Sequence, residues 1–258
     1  MHEKWLKVAR EAAVAAADVI RHYYGCDIDV ETKADESPVT IADREAERVI
    51  REIIAAACPD HAFFGEESGR SGDDNAAYRW LVDPIDGTKS FVRRQPFFST
   101  QIALMHEGRV VVGVSSAPIF GEEAFAVRGG GAMLNGEKIF VSKVEKISDA
   151  SLSSGNIASL AKDSEAWSRY GKLLQEVNRV RGYGDFYHYH LLARGALDIV
   201  IESDLNILDI AALSLIIEEA GGRFTTLSGG ALHENTCSVL ATNGRLHDDL
   251  LQKICWKD

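Results

Sequence analysis

Two aspartates three residues apart, Asp83 and Asp86, stand in the stretch WLVDPIDGTKSF at 80–91. An apolar run, Trp80-Leu81-Val82, ends in Asp83, and Pro84 stiffens the chain between the two acids. Carboxylates this close repel, so a cation between them is the simplest way to keep both ionised. Glu66 and Glu67 follow a second short apolar run, HAFFG, and Asp209 opens the helical stretch DIAALSLIIEEAGG behind a loop at 205–208. Acids at the ends of elements, with no His or Cys near them in sequence, suit a hard, oxygen-seeking cation, Mg²⁺ or Mn²⁺. The Ile85 carbonyl is a further candidate ligand, because Pro84 fixes a neighbouring backbone angle. Gly87 allows close backbone approach, and Thr88–Phe91 begin like a helix whose free N–H groups favour a phosphate. D-P-I-D-G is also good turn chemistry, and Asp209 alone would serve as an N-cap, so the residues by themselves leave a purely structural reading open.

The elements that must position these acids follow from periodicity. Residues 3–24 carry apolar positions at helical spacing and stop at Gly25; a second helix covers about 40–57, with Ile41, Val49, Ile50, Ile53 and Ile54 on one stripe. FSTQIALM and RVVVGVSSA alternate as a hairpin turned at His106-Glu107-Gly108, and EEAFAV and EKIFVS extend the sheet around Asn135-Gly136. Beyond 150, strands (LSSGNI, RVRGYG, LDIVIES, SVLAT) alternate with helices at about 163–178, 186–195, 209–220 and 244–255. The expected fold is α/β in stacked helix and sheet layers, with an α+β first half at 1–140 carrying most of the acids and an α/β second half at 141–258 carrying Asp209.

Composition narrows the function classes. A net charge of -11 disfavours nucleic acid and anionic membranes as partners. Four cysteines without CxxC spacing read as reduced thiols of a cytoplasmic protein. The Ala-rich N-terminus is broken by Arg10, Glu11 and Asp18, which fits an amphipathic helix better than a signal or membrane segment.

Taken together, PVTIAD at 38–43, GEES at 65–68, WLVDPIDGTKSF, and DIAA followed by EEAGG at 209–222 resemble the inositol-monophosphatase-like family of Mg²⁺-dependent phosphatases, in order and over nearly the whole chain. The resemblance implies a layered αβαβα sandwich and a small phosphate monoester as substrate. It implies two or three Mg²⁺ ions per site, held by Glu66, Asp83, Asp86, Asp209 and the Ile85 carbonyl. Asp43 matches the residue that pairs with Thr88 to activate the attacking water, so that Asp43, Thr88 and Glu66 form the catalytic set. The Gly87 and Thr88 amides match the phosphate cradle, Glu67 and Lys33 match neighbours of the metals, and a homodimer is implied.

Within the family, GDFYHYHLLARGALDIVIESDLNILDIAAL at 184–213 looks most like the histidinol-phosphate phosphatase branch, with Asp185 and Glu202 placed to meet a cationic alcohol. Asn206-Ile207-Leu208 departs from that branch's usual loop. The alternatives are an inositol-1-monophosphatase, a broader sugar or nucleotide phosphatase, or a non-catalytic metal-binding regulator. An aspartyl-nucleophile phosphatase needs D-x-D, and Pro84 stands two residues before Asp86. His188 and His190 do not share a helix face, so packing is favoured over a zinc site. Gly113-Val-Ser115-Ser-Ala117 falls a glycine short of a nucleophile elbow, and Gly129-Gly130-Gly131 lacks the context of a dinucleotide loop.

Overall fold

A computed structural model of the chain describes residues 2–26, 30–32, 38–254 and 256. Helix α1 (Glu3–Tyr24) leads through a two-stranded ribbon, β1 (Val30–Thr32) and β2 (Pro38–Thr40), into α2 (Ile41–Ala57). An eight-stranded sheet follows: β3 (Ala62–Gly65), β4 (Gly69–Ser71), β5 (Tyr78–Asp86), β6 (Ser99–His106), β7 (Arg109–Ala117), β8 (Glu122–Val127), β9 (Gly131–Leu134) and β10 (Glu137–Ile139), with α3 (Thr88–Val92) after β5. Its order is β10-β9-β8-β7-β6-β5-β3-β4, antiparallel throughout except for β3 beside β5. The second sheet contains β11 (Ser151–Ser154), β12 (Arg179–Arg181), β13 (Ile199–Ser203), β14 (Arg223–Thr226) and β15 (Ser238–Thr242), in the order β12-β11-β13-β15-β14. It is mixed, parallel around β11 and antiparallel around β15. Helices α4 (Ala158–Lys162), α5 (Ser164–Glu176), α6 (Asp185–Ala193), α7 (Ile207–Glu219) and α8 (His247–Ile254) complete the chain.

Three apolar cores alternate with the sheets, giving the five expected layers. One lies between α1/α2 and the large sheet. The second fills the space between the two sheets and is built on α6 and α7. The third lies between the small sheet and α4, α5 and α8. Ten of the thirteen residues of α7 are buried, because both faces of the helix meet a sheet. Gly113 permits this: a Cβ there would sit 2.6 Å from the Ala212 carbonyl oxygen.

Several local expectations need correcting. The buried stripe of α2 is Ala42, Asp43, Ala46, Glu47, Ile50 and Ile54, while Ile41 is 48% exposed. The stripe is rotated because two acids on it find hydrogen-bond partners inside. Strand β5 does not end at Asp83 but continues to Asp86 through an irregularity. EKIFVS contributes only Glu137–Ile139 to the sheet. Strands β4 and β14 and helix α4 carry too few periodic residues to be read from pattern alone.

Candidate active site

The bulge in β5 answers the question its two aspartates raise. Side chains three apart on a regular strand point to opposite faces. Here Asp83 pairs with Gln101 and Asp86 with Ser99, so three residues on β5 span two on β6. The extra residue brings both carboxylates to one face. The Asp83 Oδ1 accepts from the Ile85 amide at 2.9 Å, and the Thr100 hydroxyl donates to the Pro84 carbonyl at 2.8 Å, which anchors the bulge.

Asp209 reaches the same place from α7. Its helix starts earlier than expected: Asn206 is the N-cap, and Asp209 is the third residue of a capping box whose Oδ2 accepts from the Asn206 amide at 2.8 Å. Asp83, Asp86 and Asp209 each offer an oxygen, and these oxygens lie within 4.8 Å of one another. Glu66, just past β3, is close enough for its charge to act on all three. Burial, then Glu66, Asp86 and Asp209, push Asp83 well above the usual carboxylate range. Burial, then Asp209, Asp185, Glu202 and Glu66, do the same to Asp86. Asp209 is pushed up to about 7, first by burial and then by Glu66 and Glu202, against the Asn206 amide. Hard oxygens gathered in repelling proximity fit a divalent cation, which would let them stay ionised.

Asp43 uses the same local device on α2. Its Oδ2 accepts from the Thr40 amide at 2.8 Å and the Thr40 hydroxyl at 2.6 Å, a second capping box. Its Oδ1 is left for the Thr88 hydroxyl at 3.0 Å, which also lies 3.0 Å from the Ile85 carbonyl oxygen. Burial raises the Asp43 pKa, against the hydrogen bonds from Thr40 and Thr88. Gly87, at φ +96°, caps α3; a Cβ there would lie 2.6 Å from the Phe97 carbonyl oxygen, so no other residue fits.

A family model described as the inositol monophosphatase family matches residues 1–257. The chain belongs to the inositol monophosphatase family. It is 39% identical over 255 residues to a histidinol-phosphatase of Mycobacterium tuberculosis, covering 96% of this chain and 97% of that one. It is 34% identical over 259 residues to an inositol-1-monophosphatase of a Synechocystis species, covering 98% and 89%. The solved structure of the extragenic suppressor protein SuhB from Bartonella henselae superposes with a TM-score of 0.89 at 30% identity, covering 97% of this chain and 98% of that one. The protein is a phosphoric monoester hydrolase of this metal-dependent family.

Asp185 opens α6 at φ +46°, half-buried, close enough to Asp86 to raise that carboxyl's pKa. Its own pKa rises to about 6, through burial and then Glu202, against His188. It accepts no hydrogen bond from the described residues. Glu202 differs: Tyr189 donates to its Oε2 at 2.6 Å, His188 Nε2 lies 3.1 Å from the same oxygen, and the Asn156 amide donates to Oε1 at 3.3 Å. His188 also meets Ser153, while His190 lies between Glu122 and Ser115, so each imidazole is taken up by protein partners, as the packing reading expects. Lys33 lies outside the described residues.

Sequence reading missed the capping roles of Thr40 and Asn206, the anchor Thr100, and Glu47. Glu47 left a signal, a charged residue on the buried stripe of α2, four positions after Asp43. Its carboxylate accepts from the Glu67 and Ser68 amides, which places Glu67 by its backbone at the rim of the cluster.

Proposed function

We propose that the protein hydrolyses L-histidinol phosphate to L-histidinol and phosphate, using Mg²⁺. The observation that carries the substrate is Asp185, a half-buried carboxylate beside the acidic cluster with no protein donor among the described residues. A neutral polyol gives such a group little charge complement, whereas an ammonium or imidazolium pairs with it. The histidinol-phosphatase relative at 39% identity supports the same reading. Glu202 acts from behind, holding His188 and Tyr189 around the alcohol pocket.

Glu66, Asp83, Asp86, Asp209 and the Ile85 carbonyl would hold two or three Mg²⁺ ions, with Mn²⁺ as a substitute. Bound there, the ions supply positive charge to the phosphate and lower the pKa of water. The Gly87 and Thr88 amides, at the start of α3, face the phosphate. Thr88 Oγ1 takes a proton from the attacking water as it passes its own to Asp43 Oδ1, 3.0 Å away. Asp43 suits that role because burial raises its proton affinity. No phospho-enzyme is needed, since position and charge carry an in-line displacement. The assembly implied by the family resemblance is a homodimer, which light scattering checks.

The test is phosphate release from L-histidinol phosphate, inositol 1-phosphate and fructose 1,6-bisphosphate, with Mg²⁺ and with EDTA. Histidinol phosphate is expected to be preferred, with activity abolished by EDTA. Asp185→Asn should raise KM for it by about tenfold or more while changing kcat less. Equal kcat/KM for inositol 1-phosphate would move the substrate assignment to the polyol relatives and leave the metal chemistry standing.

A further inference from the structure

Glu47 is 3% exposed, yet it is ionisable and stands in the core of α2. It grips two successive backbone amides: Oε2 accepts from Glu67 at 2.7 Å and Oε1 from Ser68 at 2.7 Å. One residue earlier, the Glu66 amide donates to the Val82 carbonyl, next to Asp83. The backbone of 66–68 is therefore pinned on both sides, by β5 and by α2. Gly65 belongs to the same device, because a Cβ there would lie 2.5 Å from Glu47 Oε2 and block the carboxylate from reaching under the loop.

The requirement is specific to glutamate. A carboxylate presents two acceptors and takes both amides in charge-assisted bonds. A glutamine would set its NH₂ against one of them, and an aspartate would fall a methylene short. Asp43 and Glu47 are one turn apart on the same face of α2, so one helix registers both halves of the cluster: Asp43 through Thr88 after β5, Glu47 through the loop after β3. A chain needing only loop stability has less costly choices than a buried carboxylate.

We infer that Glu47 is a positioning residue that holds Glu66 in the carboxylate cluster through the 66–68 backbone and so sets the affinity of the site for its divalent cation. This rests on reading the cluster as a metal site. Groups that orient metal ligands are typically worth about 10–100-fold in affinity.

The experiment is calorimetric titration of Mg²⁺ into EDTA-stripped protein without substrate, for wild type, Glu47→Gln, Gly65→Ala and the exposed control Glu52→Gln. Glu47→Gln and Gly65→Ala are each expected to weaken Mg²⁺ binding by about tenfold, while the control binds as wild type does. The Mg²⁺ concentration for half-maximal phosphatase activity should rise by the same factor. A folded Glu47→Gln that binds Mg²⁺ as tightly as wild type, with or without a lower Tm, overturns the inference and leaves Glu47 a structural residue. Should Glu47→Gln not fold, Gly65→Ala decides, since it disturbs the same contact from the other side. If wild type itself binds no divalent cation, the metal reading of the cluster fails, and the inference fails with it.

Discussion

Asp209 is pulled in two directions. One oxygen caps α7, while burial and the neighbouring carboxylates lift its pKa to about 7. The folded, metal-free protein therefore holds this proton more tightly than the unfolded chain, whose carboxyl titrates near 3.8. Where the folded state binds more protons, stability falls as pH rises, so this group makes the metal-free fold progressively less stable from about pH 4 to about pH 7. Asp209→Asn keeps an oxygen for the cap and removes the charge. In EDTA at pH 7.5 the variant should melt a few degrees above wild type, on the order of 1–2 kcal/mol, and the gap should close towards pH 4.5. With Mg²⁺ the order reverses, and phosphatase activity drops by at least about a hundredfold. Thermal melts across pH, with and without Mg²⁺, check all three outcomes; a variant less stable than wild type in EDTA at every pH would mean that the cluster is not under charge strain.

Among the elements, α7 is the one whose placement matters most, because it carries Asp209 at its start and packs against both sheets. Its distance from the large sheet is set at Gly113, where α7 backbone comes so close that even a methyl group has no room. Gly113→Ala should cost about 1–3 kcal/mol through overpacking. It should also weaken Mg²⁺ binding, since the displaced helix takes its N-terminus with it; a stability loss with unchanged Mg²⁺ affinity would show that the helix start is held independently by its cap. The same glycine illustrates what was legible in the sequence. Helices α1 and α2 show in periodicity, because one face of each is polar, whereas the β6–β7 hairpin, buried on both faces, shows through its His106-Glu107-Gly108 turn. Helix α7 is apolar all round, so periodicity places its start at Asp209, two residues late, and Asn206 falls in the apparent loop before it. The bulge at 83–86 is not legible in one dimension because D-P-I-D-G reads equally well as a turn, and only pairing with Gln101 and Ser99 reveals the extra residue. The acids themselves are recognisable from motif order, whereas in sequence Glu47 is one more charge on a helix that also carries Glu45 and Glu52.

At the scale of the molecule, the cluster draws on layers far apart in sequence: Asp43 from the outer helical layer, Asp83 and Asp86 from the large sheet, Asp185 and Asp209 from the helices between the sheets. The middle core contains residues of both sheets, including Leu81 and Ala103 on one side and Val200 and Val239 on the other. Neither sheet keeps that core covered if the other unfolds, so the two halves should melt as one unit. A divalent cation held by the cluster would bind only where these layers meet, and Mg²⁺ at about 100 times its Kd should then add about 2.7 kcal/mol to the stability of the whole. Tryptophans report on each part: Trp5 and Trp80 belong to the core around α1 and the large sheet, while Trp167 lies on α5 and Trp256 packs against the core behind the small sheet. Variants retaining only Trp80 or only Trp167 should give coincident denaturation midpoints by fluorescence, and Mg²⁺ should move both by the same amount. Separate midpoints, or a Mg²⁺ shift seen by Trp80 alone, would show that the small sheet folds on its own and that Asp209 is delivered to a site already built on the large one.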